Sequence, residues 1–212
     1  MTKSSAAKQA IFREPHPLAR ELLERIDRGS SVLEIGPGSG RNFAAFIAKA
    51  DVRAIESDER RAASLRRYFG AEAYRIVSGS YAHMAFMDHS FKAVIATHAL
   101  LHGMPDQIQQ IVEEIARVSR PGAPLFATFG SPRDARFGNG TRLGPQSFAP
   151  ASGDEAGVTH SYFTESELRS LLATFAMERL EEVSADNVAG SWAHAQEPLH
   201  NAVHWFVVAR KV

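Results

Sequence analysis

The 212-residue chain contains no cysteine. Disulfides, thiolate nucleophiles and cysteine-ligated zinc are thereby excluded. An excess of either charge is also missing, because 24 Lys and Arg balance 24 Asp and Glu. With a formal net charge of zero there is no overall basic field to gather nucleic acid, and no nucleic-acid partner is expected. The basic cluster Arg60, Arg61, Arg66 and Arg67 reads as a solvated helix face. No apolar run approaches the ~18 residues that span a bilayer, so no membrane span is expected. Met1 to Ala10 is polar and has no apolar core of the secretory kind. These absences lead us to expect a cytoplasmic protein.

What is present is a patterned core. Hydrophobic residues make up 44% of the chain, enough for one full-sized core, and the length favours a single domain over residues 1–212. Ser31–Ile35, Val52–Glu56, Tyr74–Val77, Phe91–Ala96 and Pro124–Phe129 read as buried strands. Amphipathic stretches lie between most of them. In Gln107–Arg117 the residues Ile108, Ile111, Val112 and Ile115 form one stripe, which Pro121-Gly122 then terminates. Strand–helix alternation implies right-handed βαβ units and a mostly parallel sheet covered on both faces. The first fifteen residues read as a loose arm, followed by a helix from about Pro17 to Asp27. Residues 130–161 are rich in Gly, Pro, Ser and charge, far longer than the ~4–6 residues of an ordinary connection, and read as a lid or substrate loop. Regular structure resumes at the capping box Thr164-Glu165-Ser166-Glu167. Met177–Val183 and His204–Arg210 read as two closing strands.

The segment Val32-Leu33-Glu34-Ile35-Gly36-Pro37-Gly38-Ser39-Gly40 runs from a strand into a helical stretch, Arg41–Ala48. Glycine there permits left-handed backbone angles and lets a ligand approach the main chain, while the amides opening the next helix favour an anion. A dinucleotide fingerprint needs G-x-G-x-x-G, but Arg41 stands at its last position; the phosphate loop G-x-x-x-x-G-K-[ST] is absent as well. Glu56 ends the second strand about twenty residues after the first glycine, where a nucleotide site places the acid that accepts from its ribose hydroxyls.

The spacing E-x-G-x-G-x-G resembles the first motif of class I S-adenosylmethionine-dependent methyltransferases, of the small-molecule, methyltransferase-domain type 11 and 25 kind. Val77-Ser78-Gly79-Ser80-Tyr81 sits where that family has Gly-Asp after its third strand, with Ser80 replacing the acid. Phe86 to Val94 is similar to the stretch before strand four, with Lys92 at a position usually Asp. Ser119-Arg120-Pro121-Gly122-Ala123 is similar to the family's R-x-L-x-P-G-G turn. The resemblance covers about Ser31 to Arg210. It implies a three-layer, doubly wound α/β fold with a mostly parallel, seven-stranded, Rossmann-like sheet, the last strand antiparallel. It also implies S-adenosylmethionine as cofactor, held by Glu34, Gly36, Gly38, Gly40, Glu56, Ser57, Ser80, Tyr81 and Thr97.

Methyl transfer depends mainly on holding an acceptor in line with the S–CH3 bond, and a base is needed only for an acceptor that is protonated at neutral pH. His98 and His102 are the candidate bases; four residues apart, they share one face if the stretch is helical. No H-E-x-x-H pattern is present, so no metal is expected. In the long loop, Arg136 and His160, among other arginines and aromatics, suit a small anionic or aromatic acceptor. The function expected is methylation of a small molecule. The alternatives are a non-catalytic cofactor-binding protein of the same fold, which the Ser80 and Lys92 departures favour, and a macromolecule methyltransferase, which lacks its N-P-P-Y motif here.

Overall fold

Alternate residues of the central strands face opposite sides of one sheet, and both sides are apolar. Leu33, Val94, Leu125 and Val207 belong to one buried cluster. Their chain neighbours Val32, Ile95, Phe126 and Val208 belong to a second. The period of two therefore builds a core on each face, which is what a sheet sandwiched between helices requires. The computed structural model describes residues 14–153, 155–184 and 201–212. Its elements are α1 (Pro17–Arg25), β1 (Ser31–Ile35), α2 (Arg41–Ile47), β2 (Asp51–Glu56), α3 (Glu59–Phe69), β3 (Ile76–Ser78), β4 (Ala93–Ala96), α4 (Pro105–Val118), β5 (Pro124–Gly130), β6 (Thr141–Gly144), β7 (Ser147–Ala149), β8 (His160–Ser161), α5 (Glu165–Leu171), β9 (Phe175–Ser184) and β10 (Val203–Lys211).

Seven strands form the main sheet in the order β3-β2-β1-β4-β5-β10-β9. β1 runs parallel to both β2 and β4, β4 parallel to β5, and β2 parallel to β3. β10 alone reverses, pairing antiparallel with β5 and β9. This is the α/β, mostly parallel, seven-stranded sheet with its last strand antiparallel that the sequence leads one to expect. The chain leaves β1 towards β2 and returns to β1's other side as β4. The crevice beyond the ends of β1 and β4 is thus the topological switch point, where open α/β sheets bind ligands.

Local chemistry fixes the elements around that crevice. In α4 the stripe Ile108, Ile111, Val112 and Ile115 is buried against the β-sheet cluster that contains Leu33 and Val94. Each such side chain contributes roughly 1.5–3 kcal/mol by leaving water. Pro105 opens the helix, and Gln107 Oε1 accepts from Met104 N at 2.8 Å. Thr164 and Glu167 cap α5 reciprocally, as the sequence suggests. Asp58 Oδ1 accepts from Arg60 N and Arg61 N and starts α3.

Three sequence-based assignments need correction. Tyr74 and Arg75 lie in a 3-10 turn, Gly70–Arg75, and the strand begins only at Ile76. Tyr74 is 60% exposed, with the guanidinium groups of Arg53 and Arg75 over its ring. Its aromaticity serves cation–π contact rather than the core. Phe91 meets Ser119 in an isolated bridge, ahead of the strand proper at Ala93. Residues 97–101 form bends and a turn, so His98 and His102 share no helical face. Of the long segment 130–161, three short strands form a separate antiparallel sheet, β6-β7-β8. It is tied to the main body by bridges between His102 and His160 and between Gly130 and Tyr162. Of the N-terminal arm, residues 1–13 lie outside the described residues. No helix among the described residues is long and apolar enough to cross a membrane.

Candidate active site

The glycine loop connects β1 to α2. Gly36, Gly38 and Gly40 all have positive φ, at 66°, 55° and 83°. Two of them are fixed by neighbours as well. A Cβ on Gly36 would stand 2.9 Å from Ala99 Cβ, and one on Gly40 would stand 2.6 Å from Phe69 Cε2. Among the described residues, a Cβ on Gly38 would meet nothing within 4 Å. No described side chain therefore covers the main chain at Gly38, as suits a loop that receives a ligand.

Two acids flank this cradle. Glu34 is 1% exposed on β1. Burial pushes its pKa up from 4.5 to about 8, against the opposing hydrogen bond from Asn42. Its Oε2 has no hydrogen-bond partner among the described residues. Asn42 knits the surroundings together: its Nδ2 donates to Thr97 Oγ1 at 3.0 Å and its Oδ1 accepts from His16 N at 2.8 Å. Glu56, at the end of β2, is 2% exposed. Its Oε1 accepts from Asp58 N at 3.1 Å and lies 3.4 Å from the Tyr81 hydroxyl. That hydroxyl also accepts from Ser57 N at 3.3 Å. Burial, followed by the Glu56 charge, raises the Tyr81 pKa to about 12, so the phenol stays protonated. Tyr81 thus spans the space between Gly36 and the Glu56–Ser57 turn. Ser80, at the place where the resemblance has an acid, uses its hydroxyl to accept from Ala82 N at 3.2 Å and so holds the turn after β3. Lys92 is held by its main chain, which donates to Ser31 O at 2.9 Å.

Beyond β4 the chain takes a strained step at His98, whose φ is 58°. A non-glycine residue in that region costs about 1–2 kcal/mol, and such strain persists where the surroundings impose it. Here Thr128 Oγ1 accepts from His98 N at 2.8 Å. The His98 ring packs edge-on to His16 and His204, with centroids 5.4 and 5.2 Å away. His102 turns elsewhere, onto His160 at 4.8 Å. The two candidate bases therefore stand in different surroundings.

Arg136 joins those surroundings. Its Nε and Nη2 grip Asp134 at 2.9 and 3.0 Å, and Nη2 lies 3.0 Å from His204 Nε2. Burial raises the pKa of Asp134, but the Arg136 hydrogen bonds outweigh it and hold the carboxyl below its usual range. Burial, reinforced by Arg136, lowers that of His204 to about 4. Arg136 is thus largely committed to Asp134 rather than presented to a ligand. His160 is buried, and its Nε2 is 3.0 Å from Glu155. Sequence reasoning misses Asn42, His204, Asp134 and Glu155. None belongs to a spaced motif, although Asn42 follows the glycine loop directly and Asp134 and Glu155 stand within the long segment.

Comparison with known proteins agrees with this geometry. Residues 32–122 match a family model described as a methyltransferase domain. Over this stretch the chain resembles the S-adenosylmethionine-dependent methyltransferases whose fold it shares. A sterol 24-C-methyltransferase of Yarrowia lipolytica is 26% identical over 210 residues, which is 92% of this chain and 53% of that protein. The chain therefore spans about half the length of that curated relative. An S-adenosylmethionine-dependent methyltransferase of Methanosarcina mazei shares the fold with a TM-score of 0.70 at 20% identity, over 94% of this chain and 99% of the other. The 1,6-didemethyltoxoflavin-N1-methyltransferase of Burkholderia thailandensis, solved with that compound and S-adenosylhomocysteine, has a TM-score of 0.65 at 21% identity, over 92% and 77%. The matched stretch thus runs from β1 to the turn after α4 and contains the glycine loop, Glu56 and His98.

Proposed function

We propose that the chain is an S-adenosylmethionine-dependent methyltransferase acting on a small-molecule acceptor. The observation that carries this reading is that, among the described residues, the main chain at Gly38 is uncovered between two buried acids, one of which, Glu34, keeps an oxygen without a partner. Such a cradle and such an oxygen fit a ligand with hydroxyls and a cationic amine. In this reading the main chain of Gly36, Gly38 and Gly40 receives the cofactor closely. Glu56 accepts from the ribose hydroxyls, Ser57, Ser80 and Tyr81 border the adenine, and Glu34 and Thr97 border the methionine end. When bound, the cofactor supplies a methyl group on a sulfonium. The protein contributes position and exclusion of water, and orientation of this kind supplies roughly 7–11 kcal/mol of a barrier. His98 is the preferred base, since it stands on a strained step just beyond the end of β4. A small-molecule acceptor is supported by the relatives, one named for a sterol and one solved with 1,6-didemethyltoxoflavin.

Thermal melts test the reading. S-adenosylmethionine and S-adenosylhomocysteine should each raise Tm, because a ligand that binds only the folded state stabilises it; NADH should not. Glu56→Ala should weaken either ligand by roughly tenfold to a hundredfold, a net loss of about 1.5–3 kcal/mol for its charge-assisted hydrogen bonds taken together, while circular dichroism stays unchanged. Absence of a shift with both sulfur ligands would refute the proposal. Methyl release from labelled cofactor over an acceptor panel then identifies the substrate.

A further inference from the structure

We infer that His102, Glu155 and His160 form a binding site for one first-row divalent cation, zinc foremost, which clasps the β6-β7-β8 unit to the chain beyond β4. One ligand atom from each residue lies within 4.8 Å of the others. Glu155 Oε1 is 3.4 Å from His102 Nε2, and Glu155 Oε2 is 3.0 Å from His160 Nε2. Two atoms bound tetrahedrally to zinc at ~2.0–2.1 Å stand about 3.3 Å apart, so these separations already suit a shared cation.

The orientation of His160 strengthens the case. Its Nδ1 lies 2.9 Å from the Val158 carbonyl and serves as donor there. A backbone carbonyl on the far nitrogen is the usual device that turns the other ring nitrogen towards a metal. In the neutral ring, Nε2 then carries a lone pair and faces a carboxylate oxygen at 3.0 Å. Two acceptors at that distance require a cation between them, either a proton or a metal ion. Both histidines are also held by main chain rather than by loose side-chain packing. They pair in a β-bridge, flanked by Gly103 N to Thr159 O and Ser161 N to Leu101 O, each 2.9 Å. The Ser161 hydroxyl adds a bond to Gly103 O at 2.7 Å. Two imidazoles and one carboxylate favour zinc and its transition-metal neighbours over magnesium or calcium, which prefer oxygen. Arg136 Nη1, 3.9 Å from Glu155 Oε2, is the opposing charge, held back by Asp134. Three protein ligands leave a coordination position for water.

The untagged full chain, stripped with chelator, tests this with metal alone. Calorimetric titration with Zn²⁺ should show one equivalent bound, Co²⁺ should develop the visible absorption of a low-symmetry site, and Mg²⁺ should give neither. His102→Gln and Glu155→Gln change half-buried side chains, and should each weaken Zn²⁺ by about tenfold or more with metal-free circular dichroism unchanged. If the wild type shows no stoichiometric binding, or both variants bind as tightly as the wild type, the cluster is a protonated hydrogen-bond network and the inference is wrong. None of these readouts depends on methyl transfer.

Discussion

Glutamine in place of Glu34 should make the protein more stable at alkaline pH. The folded state holds this carboxyl 1% exposed, with its pKa raised from 4.5 to about 8. The unfolded chain releases the proton near 4.5. Between those values the native state binds one proton more than the unfolded state, so stability falls as pH rises, at up to about 1.4 kcal/mol per pH unit. The buried histidines His16 and His204 shift the other way. Burial lowers the pKa of His16 and of His204 below 6.5, so they cost stability only as pH falls below that value. The window from 6.5 to 8 therefore isolates Glu34. Across it the wild type should lose about 2 kcal/mol, equivalent to roughly 4–8 °C in Tm for a chain of this size. Glu34→Gln keeps the shape and removes the charge, so its stability should be nearly flat over the same window. Urea denaturation of both proteins at the two ends of the window measures the difference. Parallel pH dependences would show that Glu34 is ionised in the fold, and would refute the argument that burial dominates its chemistry.

The glycine loop and the Arg136 pair give further expectations. Gly40→Ala places a methyl group 2.6 Å from Phe69 at φ 83° and should cost about 2–4 kcal/mol in a denaturant melt. Gly38→Ala meets nothing among the described residues and should cost only about 1 kcal/mol, yet it should weaken S-adenosylhomocysteine by about tenfold or more in calorimetry. Equal affinity in both alanine variants would contradict the assignment of Gly38 to the ligand face. Arg136→Ala strands the fully buried Asp134 carboxylate and should lower stability by about 3 kcal/mol. That is the low end for such pairs, because Val203 N and the main-chain N of residue 136 still reach Asp134.

The parts of this molecule legible in sequence are those specified by neighbours along the chain. β1, the glycine loop and the stripe of α4 are of that kind, and the parallel order follows from strands alternating with helices. Tyr74 misled because an aromatic residue counts as apolar wherever it sits, and its ring is in fact covered by two guanidinium groups. His98 and His102 would share a face only in a helix, but Thr128, thirty residues further on, accepts from His98 N and helps hold the backbone left-handed. The small β6-β7-β8 sheet escaped notice because β6 is largely exposed and lacks an apolar alternation. Glu155 and His160 acquire meaning only when the β-bridge to His102 brings them to it.

The outer edge of the sheet at β9 bears on assembly. Over most of its middle β9 is charged, with Glu178, Arg179, Glu181 and Glu182. Those charges are already engaged: Glu178 with Arg25 and Arg210, Arg179 with Glu21, and Glu182 with Arg133. A strand from another molecule docking alongside would have to strip water and partners from this row. That makes the ten-residue edge a poor template for continued pairing, and growth of the sheet into fibres is opposed by the same ion pairs that fasten β9 to α1.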